Sequence, residues 1–268
     1  MATSNPRLAN DCPRYPSPLS RLRNVPLLGS LLRLASRKQV PREKLIWVQI
    51  ERGPAAKLWI CANPRTGKSV LLGEGEPRVQ QAIEVYVRPG MTFYDLGANI
   101  GFFSLLGARL VGPEGRVVSF EADPVIAARL RENIAHNGFC HTLVEEKAVW
   151  CKSSTVSFAC ADISQSSDHS AGYVTANHAE AANVIRVPAV SLDDYCLSHP
   201  PPNFIKCDVE GAEDEVFRGA ANILRQWHPT IVCEMHSMDN QFALIRYFRD
   251  FGYSCCILDL NHVLALFA

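Results

Sequence analysis

A glycine-rich stretch over residues 94–101 has the residue types of a cofactor-binding turn. It reads Tyr-Asp-Leu-Gly-Ala-Asn-Ile-Gly, and it joins the apolar segment Met91–Phe93 to a helix-like segment, Phe102–Leu106. Glycine at such a turn lets a ligand approach the backbone at the carboxyl end of a parallel strand. A second apolar segment, Arg116–Phe120, ends in Glu121, whose carboxylate could accept both hydroxyls of a ribose. Together these features predict a ligand that contains adenosine.

Charge separates the possible adenosine ligands. The dinucleotide fingerprint G-x-G-x-x-G is not met, because Asn99 takes the place of its second glycine. Asp95, at the tip of the strand, would repel a pyrophosphate and attract an ammonium or sulfonium group. S-adenosylmethionine has both of these cations and no phosphate, so it is the predicted cofactor. The alternative is that the glycines serve only the tight packing of a strand against a helix.

A third apolar segment, Phe204–Cys207, brings several ionisable groups to one strand end. Lys206 lies within it, and Asp208 and Glu210 follow it. Groups this close together shift each other's pKa values, and the carboxyl ends of strands are where α/β sheets bind ligands. Glu213 and Glu210 could instead merely favour the start of a helix, and for Glu213 we expect only that role.

A fourth segment, Ile231–Cys233, ends in Glu234 and, two residues on, His236. If its strand lies beside that of Asp208, all three side chains face one cleft. An imidazole titrates near neutrality, so His236 is the first candidate for a proton acceptor and Asp208 the second. The predicted catalytic residues are therefore His236, Asp208 and Glu234. A solvated loop histidine is the alternative for His236.

A divalent metal ion is a further alternative for this strand edge. Asp208, Glu210 and Glu234 would offer three carboxylates, which suit a hard cation. We favour a metal-free route, because no histidine neighbours these carboxylates in the sequence. The other seven histidines, His262 among them, have no comparable setting and are given no role.

A segment over residues 62–69 resembles a relaxed phosphate-binding loop. Such a loop must open a helix, whereas Val70–Leu72 looks like a strand followed by a turn. We therefore expect Gly67-Lys68 to be a turn of a small β-hairpin extension, which spans residues 46–75.

Strand and helix patterns alternate from residue 76 onward, which predicts a mostly parallel sheet with helices on both faces. The expected helices include residues 79–87, 124–137, 213–226 and 241–251. The later strands are expected near residues 142–148, 184–190, 203–207 and 230–235, with a closing hairpin over 253–258 and 263–267. Residues 161–183 lack periodicity and are interpreted as a surface loop.

Composition limits the function classes. Lys and Arg together number 27, as do Asp and Glu, so no overall field recruits nucleic acid. Residues 1–45 hold nine basic and two acidic residues and are rich in proline, which suggests an N-terminal arm. The ten cysteines lack C-x-x-C spacing, and we find no secretory signal and no apolar run long enough to span a membrane. We expect a cytoplasmic enzyme without stable membrane insertion.

The chain resembles the FkbM-type methyltransferases, a branch of the class I S-adenosylmethionine-dependent enzymes. The resemblance covers roughly residues 73–268 and is most specific in the stretch Asp-Val-Glu-Gly-Ala-Glu at residues 208–213. The other matching pieces are Asp95–Gly101, Val118–Pro124, Leu130 with Asn133 and Asn137, and Val232–His236.

This resemblance implies an α/β, doubly wound, Rossmann-like sheet of seven strands with an antiparallel last strand, in a domain over residues 76–268. It implies methyl transfer to a hydroxyl of a small molecule or sugar. A nicotinamide-dependent oxidoreductase, or a cofactor-binding protein without catalysis, are the alternatives. The expected cofactor contacts, to which we add Ala148 and Asp208, are Asp95, Gly97, Asn99, Gly101, Glu121, Ala148 and Asp208.

Overall fold

The structure is a computed structural model that describes residues 45–64, 67–160, 172–175 and 183–268. Contacts divide the chain into two compact units, Met1–Glu74 and Gly75–Ala268. The predicted arm over residues 1–45 lies almost wholly outside the described residues. None of the described helices is both long enough and apolar enough to cross a bilayer.

The described part of the first unit is a two-stranded antiparallel hairpin followed by one helical turn. Strand β1 (Ile46–Gln49) pairs with β2 (Trp59–Ala62). Helix α1 (Lys68–Leu72) then begins where we predicted a strand. The prediction was wrong because an apolar triplet fits either structure, and Gly73 ends this helix in the left-handed conformation with its N–H on Val70 O. We had argued that residues 62–69 are not a phosphate-binding loop because a strand follows them. A helix follows them instead, so that argument no longer applies; residues 65 and 66 of this segment lie outside the described residues.

Seven strands form the central sheet of the second unit. Their spatial order is β12-β13-β11-β10-β3-β4-β5. The pairs from β11 to β5 are parallel, and β13 runs antiparallel to both of its neighbours. The predicted fold class is thereby confirmed. These strands are β3 (Thr92–Leu96), β4 (Arg116–Phe120), β5 (Thr142–Glu145), β10 (Phe204–Cys207), β11 (Thr230–Glu234), β12 (Tyr253–Ile257) and β13 (His262–Phe267).

Helices pack on both faces of this sheet. On one face, Phe93 lies against Gly107 in the helix that follows β3. On the other face, Tyr94 and Phe120 share an apolar core with Phe217. The helices of this unit are α2 (Pro77–Tyr86), α3 (Phe102–Val111), α4 (Pro124–His136), α5 (Leu192–Tyr195), α6 (Glu213–Arg218), α7 (Ala221–Gln226) and α8 (Met238–Asp250).

A second, four-stranded sheet is the main feature that we did not predict. Its order is β6-β9-β7-β8, and its strands are β6 (Ala148–Val149), β7 (Ser154–Ala159), β8 (Tyr173–Val174) and β9 (Val184–Val190). The strand expected near residues 142–148 is in fact two strands, because the chain leaves the central sheet after Glu145 and β6 pairs with β9 instead. The loop expected over 161–183 lies largely outside the described residues, but it contains β8.

The helix expected over residues 213–226 is broken into α6 and α7. A Cβ on Gly219, at the break, would lie 2.4 Å from the carbonyl oxygen of Trp150. The new helix start is stabilised by Asp193, whose carboxylate accepts hydrogen bonds from the N–H groups of Asn222 and Ile223. Both contacts are tertiary, so helical periodicity alone could not reveal the break.

Candidate functional site

The chain turns sharply after β3, where three residues take the left-handed backbone conformation. Gly97, Asn99 and Gly101 have φ angles of 73°, 49° and 96°. A Cβ on Gly97 would lie 1.7 Å from the carbonyl oxygen of Asp208, and one on Gly101 would lie 2.3 Å from Leu130 Cδ1. Gly97 is therefore required by its contact with the backbone of another strand end, and Gly101 is favoured by its positive φ, in addition to any ligand contact.

Glu121 lies at the end of β4, next to this turn. Its Oε2 accepts a hydrogen bond from the backbone N–H of Asn99 at 2.8 Å, and its Oε1 accepts one from the N–H of Asp123 at 2.9 Å. Burial raises the pKa of Glu121 to about 7, although both backbone donors oppose the shift. The carboxylate is thus held in place by the backbone on both of its oxygens.

A cavity of about 480 Å³, open to solvent, lies at the carboxyl ends of the strands and against the second sheet. Four of the expected cofactor residues line it, namely Gly97, Glu121, Ala148 and Asp208, whereas Asp95, Asn99 and Gly101 are not part of its lining. The cavity therefore brings together the two strand tips of Glu121 and Asp208.

Asp95 and Lys206 form a buried ion pair beneath this cavity. Asp95 is fully buried, its Oδ2 accepts a hydrogen bond from Ser104 at 2.6 Å, and its Oδ1 lies 3.8 Å from Lys206 Nζ. Lys206 also donates to Asp208 Oδ2 at 3.2 Å. Burial disfavours the charge of Lys206, but Asp208 and Asp95 outweigh it and raise its pKa. Asp95 therefore already has a cation as its partner, so its charge no longer argues for a sulfonium ligand.

Strands β10 and β11 are neighbours, so the side chains that follow them lie close together, although of the predicted catalytic residues only Asp208 lines the cavity. His236 Nδ1 lies 2.8 Å from Glu213 Oε1, and its Nε2 lies 3.3 Å from Glu210 Oε2 and 3.7 Å from Asp208 Oδ1. Glu213 is completely buried and also accepts the N–H of Gly211. We expected Glu213 only to favour the start of a helix, but its carboxylate also contacts His236 and orients the imidazole.

The charge state of His236 differs from the sequence expectation. Hydrogen bonds to Glu210 and Glu213 raise its pKa to about 11, and they outweigh burial, which lowers it. An imidazole that is protonated at neutral pH cannot accept a proton. The premise that made His236 the first candidate for the base was therefore wrong, because sequence spacing did not reveal the carboxylates around it.

His262, to which we gave no role, faces the same strand edge. The register of β11 and β13 places it opposite Glu234. Its Nδ1 lies 2.8 Å from Asp259 Oδ1, and its Nε2 lies 3.3 Å from Glu76 Oε2 and 3.6 Å from Glu234 Oε2. The sequence predicted the closing hairpin that contains His262. It did not predict the register of that hairpin, which places His262 opposite Glu234.

Among the residues that the structure describes, two groups of side chains offer donor atoms at metal-ligand separations. They are Asp208, Glu234 and His236, and Glu76, Glu234 and His262, each with its donor atoms within 4.8 Å of one another. The reason given against a metal, that no histidine neighbours the carboxylates, does not hold for the fold, and His236 already lies two residues from Glu234 in the sequence.

Comparison with known proteins identifies the domain. Residues 95–255, more than half of the chain, match the sequence profile of the methyltransferase FkbM domain. The chain belongs to the FkbM methyltransferase family. Its cofactor is S-adenosylmethionine, which agrees with the sequence prediction and replaces the nicotinamide alternative.

Two curated relatives share shorter stretches with this FkbM-family chain. An arsenite methyltransferase of Halobacterium salinarum is 37% identical over 76 residues, which are 28% of this chain and 18% of that protein. A protein-L-isoaspartate O-methyltransferase of Triticum aestivum is 35% identical over 54 residues, which are 20% of this chain and 24% of that protein. The chain thus matches less than a quarter of the length of either relative.

Solved methyltransferase structures are similar at low sequence identity. An FkbM methyltransferase from Methylobacillus flagellatus has a TM-score of 0.48 and 16% identity, covering 90% of this chain and 60% of that one. A precorrin-6y C5,15-methyltransferase from Geobacter metallireducens has a TM-score of 0.45 and 14% identity, covering 73% of this chain and 90% of that one.

Proposed function

We propose that this chain is an S-adenosylmethionine-dependent O-methyltransferase whose acceptor is a hydroxyl group of a small molecule or sugar, and that residues 76–268 carry the activity. The observation that carries this proposal is the cavity whose lining combines Gly97, Glu121, Ala148 and Asp208. A carboxylate for a ribose and a second carboxylate for a reacting hydroxyl are thereby available within one cavity.

The lining of this cavity suits the cofactor. The carboxylate of Glu121 has about four lone-pair sites, and the backbone N–H groups of Asn99 and Asp123 use two of them. The N–H of Ala122 also interacts with this carboxylate, and the lone pairs left over can accept ribose hydroxyls. Ala148, with its small side chain, leaves room in the same cavity. Three expected cofactor residues do not line the cavity but support it. Asn99 and Gly101 shape the turn, and Asp95 forms the ion pair beneath it.

Methyl transfer also requires removal of the acceptor's proton. When bound, S-adenosylmethionine supplies an electrophilic methyl group on its sulfonium. Asp208 is our candidate for the proton acceptor, because its Oδ2 is held by Lys206 while its Oδ1 has no hydrogen-bond partner among the described residues. The lysine fixes the carboxylate, and the proposal requires the acceptor's hydroxyl to reach Oδ1, which is buried in this structure.

His236 and Glu234 support this step in different ways. Both ring nitrogens of His236 face carboxylates, those of Glu213 on one side and of Glu210 and Asp208 on the other. We therefore assign His236 to positioning Asp208 rather than to taking the proton. The carboxylate of Glu234 lies near Asp208 and His236, and we assign it to binding the acceptor.

Product analysis tests this function directly. The purified chain is incubated with S-adenosylmethionine and paired acceptors, sugars or alcohols and their amino analogues, and the methylated position is determined by NMR. We expect methyl groups on oxygen. Asp208→Asn should abolish the product, whereas Asp250→Asn, a change on the exposed end of α8, should not. Methylation of the amino analogues alone would contradict the proposal.

A further inference from the structure

His262 is a buried histidine whose Nδ1 contacts Asp259, whereas its Nε2 has no hydrogen-bond partner among the described residues. Its relative exposure is 6%. Asp259 Oδ1 accepts hydrogen bonds from the backbone N–H of His262 and lies 2.8 Å from its Nδ1. Nε2 has no hydrogen-bond partner among the described residues, although it faces Glu76 and Glu234. A buried polar atom in this state calls for an explanation.

The separations around Nε2 are those of an ion pair, and they also suit two ligands of one metal ion. N–H···O bonds are about 2.7–3.2 Å long, whereas Nε2 lies 3.3 Å from Glu76 and 3.6 Å from Glu234. Two ligands bound to one ion at ~2.1 Å in tetrahedral geometry are roughly 3.4 Å apart. Glu76 Oε2 is likewise buried without a hydrogen bond.

We propose that Glu76, Glu234 and His262 form a binding site for one divalent transition-metal ion, and that Asp259 orients His262 in it. The contact between Asp259 and Nδ1 leaves Nε2 as the ring nitrogen that faces the two glutamates, and an ion bound there would displace the Nε2 proton. This inference is independent of the proposed methyl transfer.

Three separate parts of the second unit build the site. Glu234 and His262 are cross-strand partners at the edge where β11 meets β13. Glu76 is the residue that precedes α2. Asp259 lies in the turn before β13 and is tied down by the N–H groups of Asn261 and His262. The side chains therefore converge through sheet register and helix placement, so the site forms only in the folded domain.

The donor set selects the class of ion. One imidazole nitrogen with two carboxylates suits Zn²⁺ or Mn²⁺ better than Mg²⁺, which prefers oxygen ligands alone. A doubly charged ion would also balance the charges of Glu76 and Glu234. Three protein ligands leave further coordination positions open. Because Glu234 also belongs to the group with Asp208 and His236, the ion would lie close to the proposed acceptor end.

Metal titration of the full chain tests the site without any measurement of activity. Chelator-treated protein is titrated with Zn²⁺, Mn²⁺ and Mg²⁺ by calorimetry. We expect one Zn²⁺ or Mn²⁺ per chain and weaker Mg²⁺ binding. Glu76→Gln and His262→Asn should each weaken Zn²⁺ binding more than about tenfold, and Asp259→Asn by about tenfold. The matched control is Glu84→Gln, which neutralises an exposed glutamate on α2.

The outcomes are distinct. Absence of Zn²⁺ and Mn²⁺ binding, or equal binding by Glu76→Gln and Glu84→Gln, would overturn the proposal. So would binding that Asp208→Asn weakens and Glu76→Gln does not, since the ion would then occupy the other group. If His262→Asn fails to fold, Glu76→Gln decides, because that side chain is 33% exposed. S-adenosylhomocysteine binding, measured on the same samples, reports on the proposed function separately.

Discussion

Glu121 accepts a hydrogen bond from the backbone N–H of Asn99 at 2.8 Å, which ties the end of β4 to the glycine turn after β3. The contact joins the two features that first indicated an adenosine ligand. It also means that the ribose acceptor and the turn cannot move independently. Changes to either should therefore affect the cavity that they line.

Gly97→Ala should destabilise the protein more than an ordinary glycine substitution. The new Cβ would lie 1.7 Å from the carbonyl oxygen of Asp208, so the backbone of one strand end must move. Gly138→Ala is the matched control, because its φ is also positive but the space around it is open. We expect Gly138→Ala to cost about 1 kcal/mol in the free energy of unfolding and Gly97→Ala clearly more. Equal losses in denaturant titrations would show that the close contact does not matter.

The stability of the cofactor-free protein should fall as pH rises through neutrality. The pKa of Glu121 in the folded state is about 7, above its ordinary value of 4.5, because of burial. The folded state therefore holds this proton more tightly than the unfolded state. The resulting stabilisation is complete below pH 4.5 and is lost as pH rises through 7, a change of roughly 3 kcal/mol.

The check is a comparison of pH profiles from urea unfolding. Glu121→Gln cannot titrate, so its profile should be flatter than that of the wild type between pH 5 and 8. Parallel profiles would mean that Glu121 does not titrate in this range.

Lys206 should be essential for stability. Its removal leaves Asp95 buried without a cation, which typically costs about 3–5 kcal/mol. We expect Lys206→Met to lower the free energy of unfolding by that amount, and Asp95→Asn with Lys206→Met to recover part of it. Denaturant unfolding measures both. If the double variant were no more stable than Lys206→Met alone, loss of the ion pair between Asp95 and Lys206 would not explain the destabilisation.

Asp208 and His236 should differ in their kinetic effects. If Asp208 takes the proton, Asp208→Asn should lower kcat by about 10²–10⁴-fold while S-adenosylhomocysteine still binds. His236→Gln leaves Asp208 in place and removes only a positioning contact 3.7 Å from it, so the loss of kcat should be smaller, although the contacts with Glu213 and Glu210 are lost as well. Steady-state kinetics and calorimetry on both variants provide the comparison. A larger loss of kcat in His236→Gln than in Asp208→Asn would reverse the assignment.

Local sequence patterns predicted the parts of the site that depend on strand ends. The glycine turn, Glu121 and Asp208 each follow an apolar segment directly, so the rule that parallel strands end at one edge was sufficient to group them. The central sheet followed from the same alternation of strands and helices. The FkbM resemblance supplied the antiparallel last strand.

The features that were missed depend on tertiary contacts. The second sheet was missed because its strand β6 is only two residues long, too short to show a period, and pairs with a strand about 40 residues away, Ala148 lying opposite Ala189. The environment of His262 depends on the register of β13 against β11, which the sequence does not specify. The charge of His236 depends on Glu210 and Glu213, whose approach follows from the path of the chain after β10.

Calorimetric titration with S-adenosylhomocysteine tests the central claim most directly, namely that the cavity beside the glycine turn binds the cofactor through Glu121. The wild type should bind, and Glu121→Ala should lose about 1.5–3 kcal/mol of binding free energy, the range for hydrogen bonds to charged groups. Glu132→Gln, a change of an exposed glutamate on α4, should bind like the wild type. Unchanged affinity in Glu121→Ala would contradict the account.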